Sequence, residues 1–537
     1  MVAVSVAFYL REVSDIFIFI GNGDSVALRN PPYDFNDDAI EQWHCLLGRI
    51  GATCIDCPSL IHPKGKTMSD IAHWSISETS SALKSKQVSV TEVTQAILSR
   101  IEAVNPAVNA VVTPVNEALE IACALDDAGR PDDASPLWGI PVTTKINVDQ
   151  EGYANSNGIK AYEAALATGD SPVVSNLKSS GAVVVGRTST PEFSMRWFTS
   201  NPIHGVSLNP WDHGITPGGS SGAAAAAVAS GMGMIGHGND LGGSLRYPAY
   251  CCGVATIKPS TGRVPAMNPT QTANGVERGP ITQMMSVQGP IARSIADVRA
   301  AMHVMAQPDL RDPLHMPVSM GRDGLTGPVT VGYAMNPFHA PLDETVERAM
   351  QTALAAVKDA GIEVREVAPP HAADLPALWG KLLFTESEAL TRASIQANGS
   401  EDMRAYFDAF TNLFEPTDIE GLLSALQQRI VCQRAWAQMF TQVDVLMMPT
   451  SLARPFQNDQ DFKSPETLPQ IAAAQSPLVA INVLGLPSAA LPTHLEDGIP
   501  SGVQLVGPML QDGFVLDVAE RLERELGTIW RQLPAFS

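Results

Sequence analysis

Three segments of this chain put a reactive side chain among residues that are poor choices for plain structure. The first, Gly139-Ile-Pro-Val-Thr-Thr-Lys145-Ile-Asn147, ends an apolar, strand-like run on a lysine, a residue seldom buried without a reason. The second, Pro217-Gly-Gly219-Ser220-Ser221-Gly222, runs straight into Ala223-Ala-Ala-Ala-Ala-Val-Ala229. The third is Asn239-Asp240-Leu241-Gly242-Gly243-Ser244-Leu-Arg246-Tyr-Pro248. A serine hydroxyl is a weak nucleophile at neutral pH and needs a base within hydrogen-bond reach. A lysine serves as that base only when neutral, so its ordinary pKa of about 10.4 must be lowered by burial or by neighbouring positive potential. Glycines ahead of a serine let backbone N–H groups converge on one spot, as stabilisation of an oxyanion requires.

Each segment has a plainer reading beside the chemical one. A glycine-rich loop opening a helix is an anion site and could hold a nucleotide phosphate. The second segment, however, matches neither Gly-x-Gly-x-x-Gly nor Gly-x-x-x-x-Gly-Lys-Ser/Thr, and no acidic ribose partner is placed for it. Alone, Gly242-Gly243-Ser244 also reads as a tight turn. Asp240 and Arg246 flank Ser244 with opposite charges and read as a buried pair that holds the loop, in preference to direct substrate contacts. Asn147 reads as orienting the lysine segment, with a turn cap as the alternative.

The elements that must carry these residues are visible in the patterning. Ser75-x-x-Glu78 and Ser89-x-x-Glu92 are capping boxes, and Val93, Ile97, Ile101 and Val104 recur at helical spacing. Gly181 to Gly186 reads as a buried strand, Ser221 to Ser230 as a tight alanine-rich helix, and Asp444 to Pro449 as a strand ended by proline. Glu344 to Ala360 and Ile419 to Phe440 have helical periodicity with polar faces and are expected to layer over the sheet. Gly324 to Pro328 and Ser451 to Pro465 read as loops. Alternation of strand and helix predicts an α/β fold.

Composition limits the partners. Of 537 residues, 56 are acidic and 35 are Lys or Arg, a formal charge of −21, which argues against nucleic acid because phosphate binding relies on clustered cations. With 45% hydrophobic and 17% charged residues the chain should be globular. Its apolar runs, such as Phe17 to Ile20, fall far short of the roughly 18 residues that cross a bilayer, so no membrane association is expected. Seven cysteines without regular spacing fit reduced thiols in a cytoplasmic protein. Cys54-x-x-Cys57, with Cys45 and His62 nearby, lacks the second ligand pair of a zinc site and reads as ordinary thiols. Residues 1–67 lack both the regular patterning and any chemical motif, and they read as a non-catalytic N-terminal extension to a catalytic unit at 68–537.

Taken together, the three segments resemble the amidase signature family. The stretch from Gly218-Gly-Ser-Ser-Gly222 to Gly242-Gly-Ser-Leu-Arg246 carries the likeness. Weaker similar text stands at Asn105-x-x-x-Asn109-Ala110, Lys258-Pro-Ser-Thr-Gly-Arg263, Gly289-Pro-Ile-Ala-Arg293-Ser, Asn482-x-x-Gly485-x-Pro487 and Gly502-Val-Gln504-x-x-Gly507. The resemblance implies a single α/β/α domain with a central mixed β-sheet covered by helices, and a Ser-cisSer-Lys triad. In that triad Ser244 would be the nucleophile, Ser220 the bridging serine after a cis peptide bond, and Lys145 the base. The N–H groups of Leu241, Gly242, Gly243 and Ser244 would form the oxyanion hole, with Asn147, Gly219, Ser221, Asp240 and Arg246 in support. The segment Phe193 to Gly205 resembles the border of the acyl pocket, which would place Trp197, Phe198 and Thr199 there, with a core role for the two aromatics as the alternative. Met284, Met285, Trp379 and Phe384 are further candidates for an entrance.

What the resemblance implies is hydrolysis of a small-molecule amide without metal or organic cofactor; the aromatic residues that could wall the pocket point to an apolar or aryl-containing carboxamide. The glutamine-hydrolysing subunit of a tRNA-dependent amidotransferase, allophanate hydrolysis and a catalytically silent protein on the same fold are the competing readings. A homodimer would suit the family, although the sequence shows no interface stripe. Four positions depart from the usual text: Ile146 where aspartate is common, Ala223 and Ala224 where Gly and Ser are common, and Asn239 where a hydroxyl residue is common.

Overall fold

The computed structural model describes residues 71–273, 277–320 and 327–533, together with four strand segments, of two to six residues each, before residue 55. Eleven strands form one sheet. In chain order they are β1 Val111–Pro114, β2 Pro141–Lys145, β3 Val183–Thr188, β4 Ile235–Asp240, β5 Ala255–Lys258, β6 Val287–Ala292, β7 Thr330–Tyr333, β8 Glu363–Glu366, β9 Val445–Pro449, β10 Ser488–Glu496 and β11 Ile499–Val506. Their spatial order is β8-β7-β9-β11-β10-β5-β6-β4-β2-β3-β1. Pairing is parallel between β4, β2 and β3 and between β9, β7 and β8, and antiparallel elsewhere, so the sheet is mixed.

Both faces of the sheet are buried, and the central strands are accordingly apolar at successive positions. In β9, Val445 and Met447 join one core while Leu446 and Met448, on the opposite side of the pleat, join the other. The covering helices include α1 Ile76–Lys84, α2 Val90–Val108, α3 Gly222–Ala229, α4 Arg246–Cys252, α5 Ile295–Met305, α6 Glu344–Asp359, α7 Leu375–Leu390, α8 Glu401–Phe414, α9 Ile419–Met439, α10 Ser476–Leu484 and α11 Asp512–Leu526. Helices α1, α5, α6 and α11 pack into the first core; α3, α4, α7, α8, α9 and α10 pack into the second. The fold is the α/β/α arrangement expected from the sequence.

Local signals act where they are written. Ser75 and Ser89 cap α1 and α2, each with its reciprocal glutamate bond. Helix α2 stops at Asn109, whose φ of 53° is left-handed, and the Asn105 carboxamide oxygen accepts the next two N–H groups at 2.9 and 2.8 Å. In the stretch read as a loop after Ser451, one helical turn forms at Gln460–Lys463, where Asp461 is buried against Arg196 at 2.6 Å.

Helix α3 shows why its sequence is alanine. Every residue from Gly222 to Val228 is fully buried, and the helix lies directly on β4: a Cβ placed on Gly236 would stand 3.0 Å from the Ala224 carbonyl oxygen. A larger side chain at either position would push the helix off the strand and displace Ser220 and Ser221, which lead into its N-terminus.

Candidate active site

Lys145 closes β2, and its neighbour β4 runs parallel, with Ile235 opposite Val142 and Gly236 opposite Thr143. Continuing that register brings the end of β4 and its Asn239-Asp240 pair beside the lysine, at the carboxyl ends of parallel strands where α/β proteins place their sites. The lysine side chain is fully buried. Its Nζ lies 2.8 Å from Ser220 Oγ, 3.1 Å from Ser221 Oγ and 2.8 Å from Asn239 Oδ1. The Gly219–Ser220 peptide bond is cis.

Burial holds the Lys145 amine well below the usual lysine range, against the opposing pull of Asp240. Beneath the lysine, His237 is buried and its pKa is pushed down to about 4, chiefly by desolvation, so it adds no charge. Its Nδ1 accepts the Lys145 backbone N–H at 3.4 Å, and Nε2 meets Gln288 at 2.8 Å.

A neutral amine has two N–H donors and one lone pair, so the three contacts of Nζ fall into a definite pattern. The Asn239 amide oxygen can only accept. Ser221 Oγ directs its own hydrogen toward the Asn239 carbonyl at 3.4 Å and therefore accepts from Nζ. On a neutral amine the lone pair would be left for the Ser220 hydroxyl, 2.8 Å away. Asn239, one of the residues that depart from the usual text, thus occupies one of the two amine hydrogens.

Asp240 and Arg246 are both fully buried and are joined by two bonds of 3.1 Å. Arg246 also reaches Leu478 O at 2.9 Å, Asn482 Oδ1 at 2.6 Å and Gln504 Oε1 at 3.0 Å. Despite its desolvation, the Asp240 carboxyl is pushed down to about 2, with the Arg246 charge the largest lowering influence. The pair holds the loop, as the charge placement in the sequence suggests.

The turn after β4 is held peptide by peptide. Asp240 O accepts from Asn482 Nδ2 at 3.1 Å, Leu241 O from Trp379 Nε1 at 2.9 Å, Gly242 O from Trp197 Nε1 at 2.7 Å, and Gly243 O from the Tyr247 N–H at 2.8 Å. In a trans peptide the C=O and N–H point in opposite directions, so the N–H groups of Leu241, Gly242 and Ser244 are aimed away from these anchors. Gly243 differs from expectation. Its N–H donates to Asp240 Oδ1 at 2.8 Å and is engaged inside the loop. Its φ of +104° is one only glycine adopts readily, and a Cβ there would strike Leu478. Ser244 is 8% exposed, against 1% for Ser220 and 0% for Lys145, so all three are buried and Ser244 is the least so.

Trp197, Phe198 and Thr199 stand behind the serine turn. A Cβ on Gly219 would come within 2.4 Å of the Phe198 backbone nitrogen, and the Thr199 hydroxyl donates to Gly218 O at 2.8 Å. Phe198 is 1% exposed and lies against Phe456. These contacts correspond to the core alternative for the aromatics. Asn147 donates to Ser194 Oγ at 2.9 Å, Ser194 lies 2.9 Å from Thr190 Oγ1, and Thr190 donates to Ser220 O at 3.2 Å. The lysine segment and the bridging serine are therefore linked through two hydroxyl residues that carry no signal of their own in the sequence. Cys45, Cys54, Cys57 and His62 lie outside the residues whose side chains are described. No helix among the described residues is long and apolar enough to cross a membrane.

The family model described as Amidase matches residues 92–516. The chain belongs to the amidase signature family. It is 40% identical to the indoleacetamide hydrolase of Bradyrhizobium diazoefficiens over 474 residues, covering 88% of this chain and 89% of that protein. It is 29% identical to a glutamyl-tRNA(Gln) amidotransferase subunit from Carboxydothermus hydrogenoformans, covering 85% of this chain and 98% of that one. Among solved structures, a bacterial aryl acylamidase of the amidase signature enzymes superposes with a TM-score of 0.74 at 26% identity, covering 86% of this chain and 98% of its own. The protein is an amidase, an amide hydrolase of this family, with a buried lysine, two serines and a backbone turn assembled at one end of its sheet.

Proposed function

We propose that this amidase hydrolyses an aryl-containing carboxamide through an acyl-enzyme on Ser244. The geometry that carries the reading is the buried Lys145 amine 2.8 Å from Ser220, beside the anchored Ser244 turn. The acyl preference is supported by the 40% identity to an indoleacetamide hydrolase across nearly the whole of both chains.

In the proposed reaction Ser244 Oγ attacks the amide carbon. Its proton moves to Ser220 Oγ while the Ser220 proton moves to the lone pair of Lys145 Nζ. The carbonyl oxygen becomes an oxyanion received by the N–H groups of Leu241, Gly242 and Ser244, and Gly243 keeps the turn closed through Asp240. As the tetrahedral intermediate collapses, the C–N bond breaks and Lys145 returns its proton through Ser220 to the leaving nitrogen. Ammonia departs from a primary amide and an amine from a secondary one. Water then attacks the ester with the same proton route, the carboxylic acid leaves, and Ser244 regains its hydrogen. Each proton taken is given back, so no co-reactant besides water is consumed.

The test is release of ammonia or amine from a panel of indole-3-acetamide, phenylacetamide, aliphatic amides, anilides, allophanate and glutamine. The highest kcat/KM is expected on the aryl acetamides. A second reading, glutamine hydrolysis for a partner enzyme, is favoured by the match covering 98% of a glutamyl-tRNA(Gln) amidotransferase subunit; release from glutamine alone would establish it and overturn the aryl preference.

The lysine's tuning has its own test. Asn239→Asp sets a carboxylate against Nζ, and an opposite charge at that range raises an amine pKa by roughly 1–3 units. The acid limb of the kcat/KM–pH profile is expected to move upward by that amount, so the variant loses activity at neutral pH and recovers it as pH rises. An unmoved limb would show that another group controls it.

A further inference from the structure

We propose that Trp379 is a positioning residue for the oxyanion turn: by holding the Leu241 carbonyl, its indole N–H aims the Gly242 N–H at the forming oxyanion. The proposal rests on Ser244 being the nucleophile. It adds a residue from helix α7, far along the chain from the turn it would control.

Of the N–H groups of Leu241, Gly242 and Ser244, two belong to peptides whose carbonyls are fixed by strongly anchored partners. Ser244 shares its peptide with Gly243 O, which accepts the Tyr247 N–H at the start of helix α4. Leu241 shares its peptide with Asp240 O, held by Asn482 within the Arg246 network. The Gly242 N–H shares its peptide with Leu241 O, which the Trp379 indole holds at 2.9 Å. Rotation of that plane about its Cα–Cα axis would swing the donor off its target, and a misplaced oxyanion donor loses much of its worth.

The surroundings fit a fixed indole. Gly242 packs closely against it, since a Cβ there would stand 2.9 Å from Trp379 Cζ2. Trp379 is 4% exposed and is packed by Trp197, Phe384 and Phe414, with ring centroids 5.6 to 6.4 Å away. Trp197 provides an internal contrast. It also donates to a turn carbonyl, that of Gly242, but the N–H of the same peptide is already tied to Asp240. Removing the Trp197 bond therefore leaves its plane held from the other side.

The experiment replaces Trp379 by β-(3-benzothienyl)alanine, which keeps the bicyclic shape and substitutes sulfur for the N–H, and in parallel by Phe. Each enzyme is followed by steady-state kinetics on the best amide of the panel and by the rate at which an alkyl fluorophosphonate labels Ser244. The labelling reaction also builds charge on an oxygen in the turn, and it does not depend on which amide is the substrate.

The expected result for the isostere is a fall of roughly tenfold in kcat and in labelling rate, with KM, melting temperature and the acid limb of the pH profile unchanged. The same isostere at Trp197 is expected to cost less than about threefold. Unchanged labelling in the Trp379 isostere would overturn the proposal. So would an equal loss from the Trp197 isostere, or a loss that appears in KM and melting temperature alone. Wild type that labels on Ser244 yet cleaves none of the amides would defeat the substrate reading and leave the labelling comparison to decide the role of Trp379. Labelling of wild type on another residue would defeat the Ser244 reading and this proposal with it.

Discussion

Ser244→Ala is expected to lower kcat on the preferred amide by roughly 10^5 to 10^6, the scale on which removal of a serine nucleophile acts in enzymes whose catalytic groups work as a unit. The loss should fall on kcat and spare KM. In the proposed reaction Ser244 supplies only the attacking oxygen. Folding should survive. The turn is held by Trp197, Trp379, Asn482, Tyr247 and the Asp240–Arg246 pair, none of which bonds to the Ser244 hydroxyl. Ammonia release by wild type and variant, measured side by side with circular dichroism melts, checks both statements. Retention of more than about one hundredth of the wild-type rate, with an unchanged melt, would assign the nucleophile to another residue.

The candidate site is legible because its members are odd residues in their places. A lysine ending an apolar run, two serines among glycines and a third serine after a glycine pair are each hard to explain as packing. The cis peptide before Ser220 and the Asp240–Arg246 pair follow from the resemblance and from charge placement respectively. Long-range partners are less legible. Asn482 and Gln504 stand in the sequence as family-like text without a role, and in the fold they close the network around Arg246 across 236 and 258 positions. Trp379 reads as an entrance residue, whereas it hydrogen-bonds to a carbonyl 138 positions away.

Such bonds depend on where a helix docks over the sheet. Periodicity tells which face of α7 is apolar and does not tell which strand end that face meets. The Gly243 N–H escapes a sequence reading for a related reason. A glycine turn suggests a cluster of donors, but which donor the neighbouring carboxylate claims is decided by the curl of the backbone, here a φ of +104°. The aromatic pair at 197 and 198 reads from sequence equally as a wall for substrate or as core, since nothing in it shows that the Phe198 backbone lies against Gly219.

Lys145 offers the other large effect, and its sign can be worked out. Burial lowers the folded-state pKa below the ordinary value of 10.5, so the amine stays neutral to lower pH than an exposed lysine would. Wild-type kcat/KM should then be flat at alkaline pH and fall as pH drops through the lowered pKa, when Nζ takes a proton and its lone pair is lost to Ser220. Lys145→Ala removes the acceptor altogether and is expected to cost roughly 10^4 or more, the scale of losing a general base. Its residual activity should lack the acid limb.

Because an alanine also leaves a cavity, Lys145→Met is the informative companion, nearly isosteric and unable to accept a proton. In wild type the unfolded chain binds the lysine proton that the folded chain lacks, over the interval from the lowered pKa up to the ordinary one. Linkage then makes the lysine's contribution to stability rise with pH across that interval, and Met at this position should remove that contribution. A Lys145→Met enzyme that melts like wild type near neutral pH, yet has lost several orders of magnitude in kcat, would place the defect in proton transfer. Full activity in Lys145→Met at neutral pH would defeat the assignment of the base.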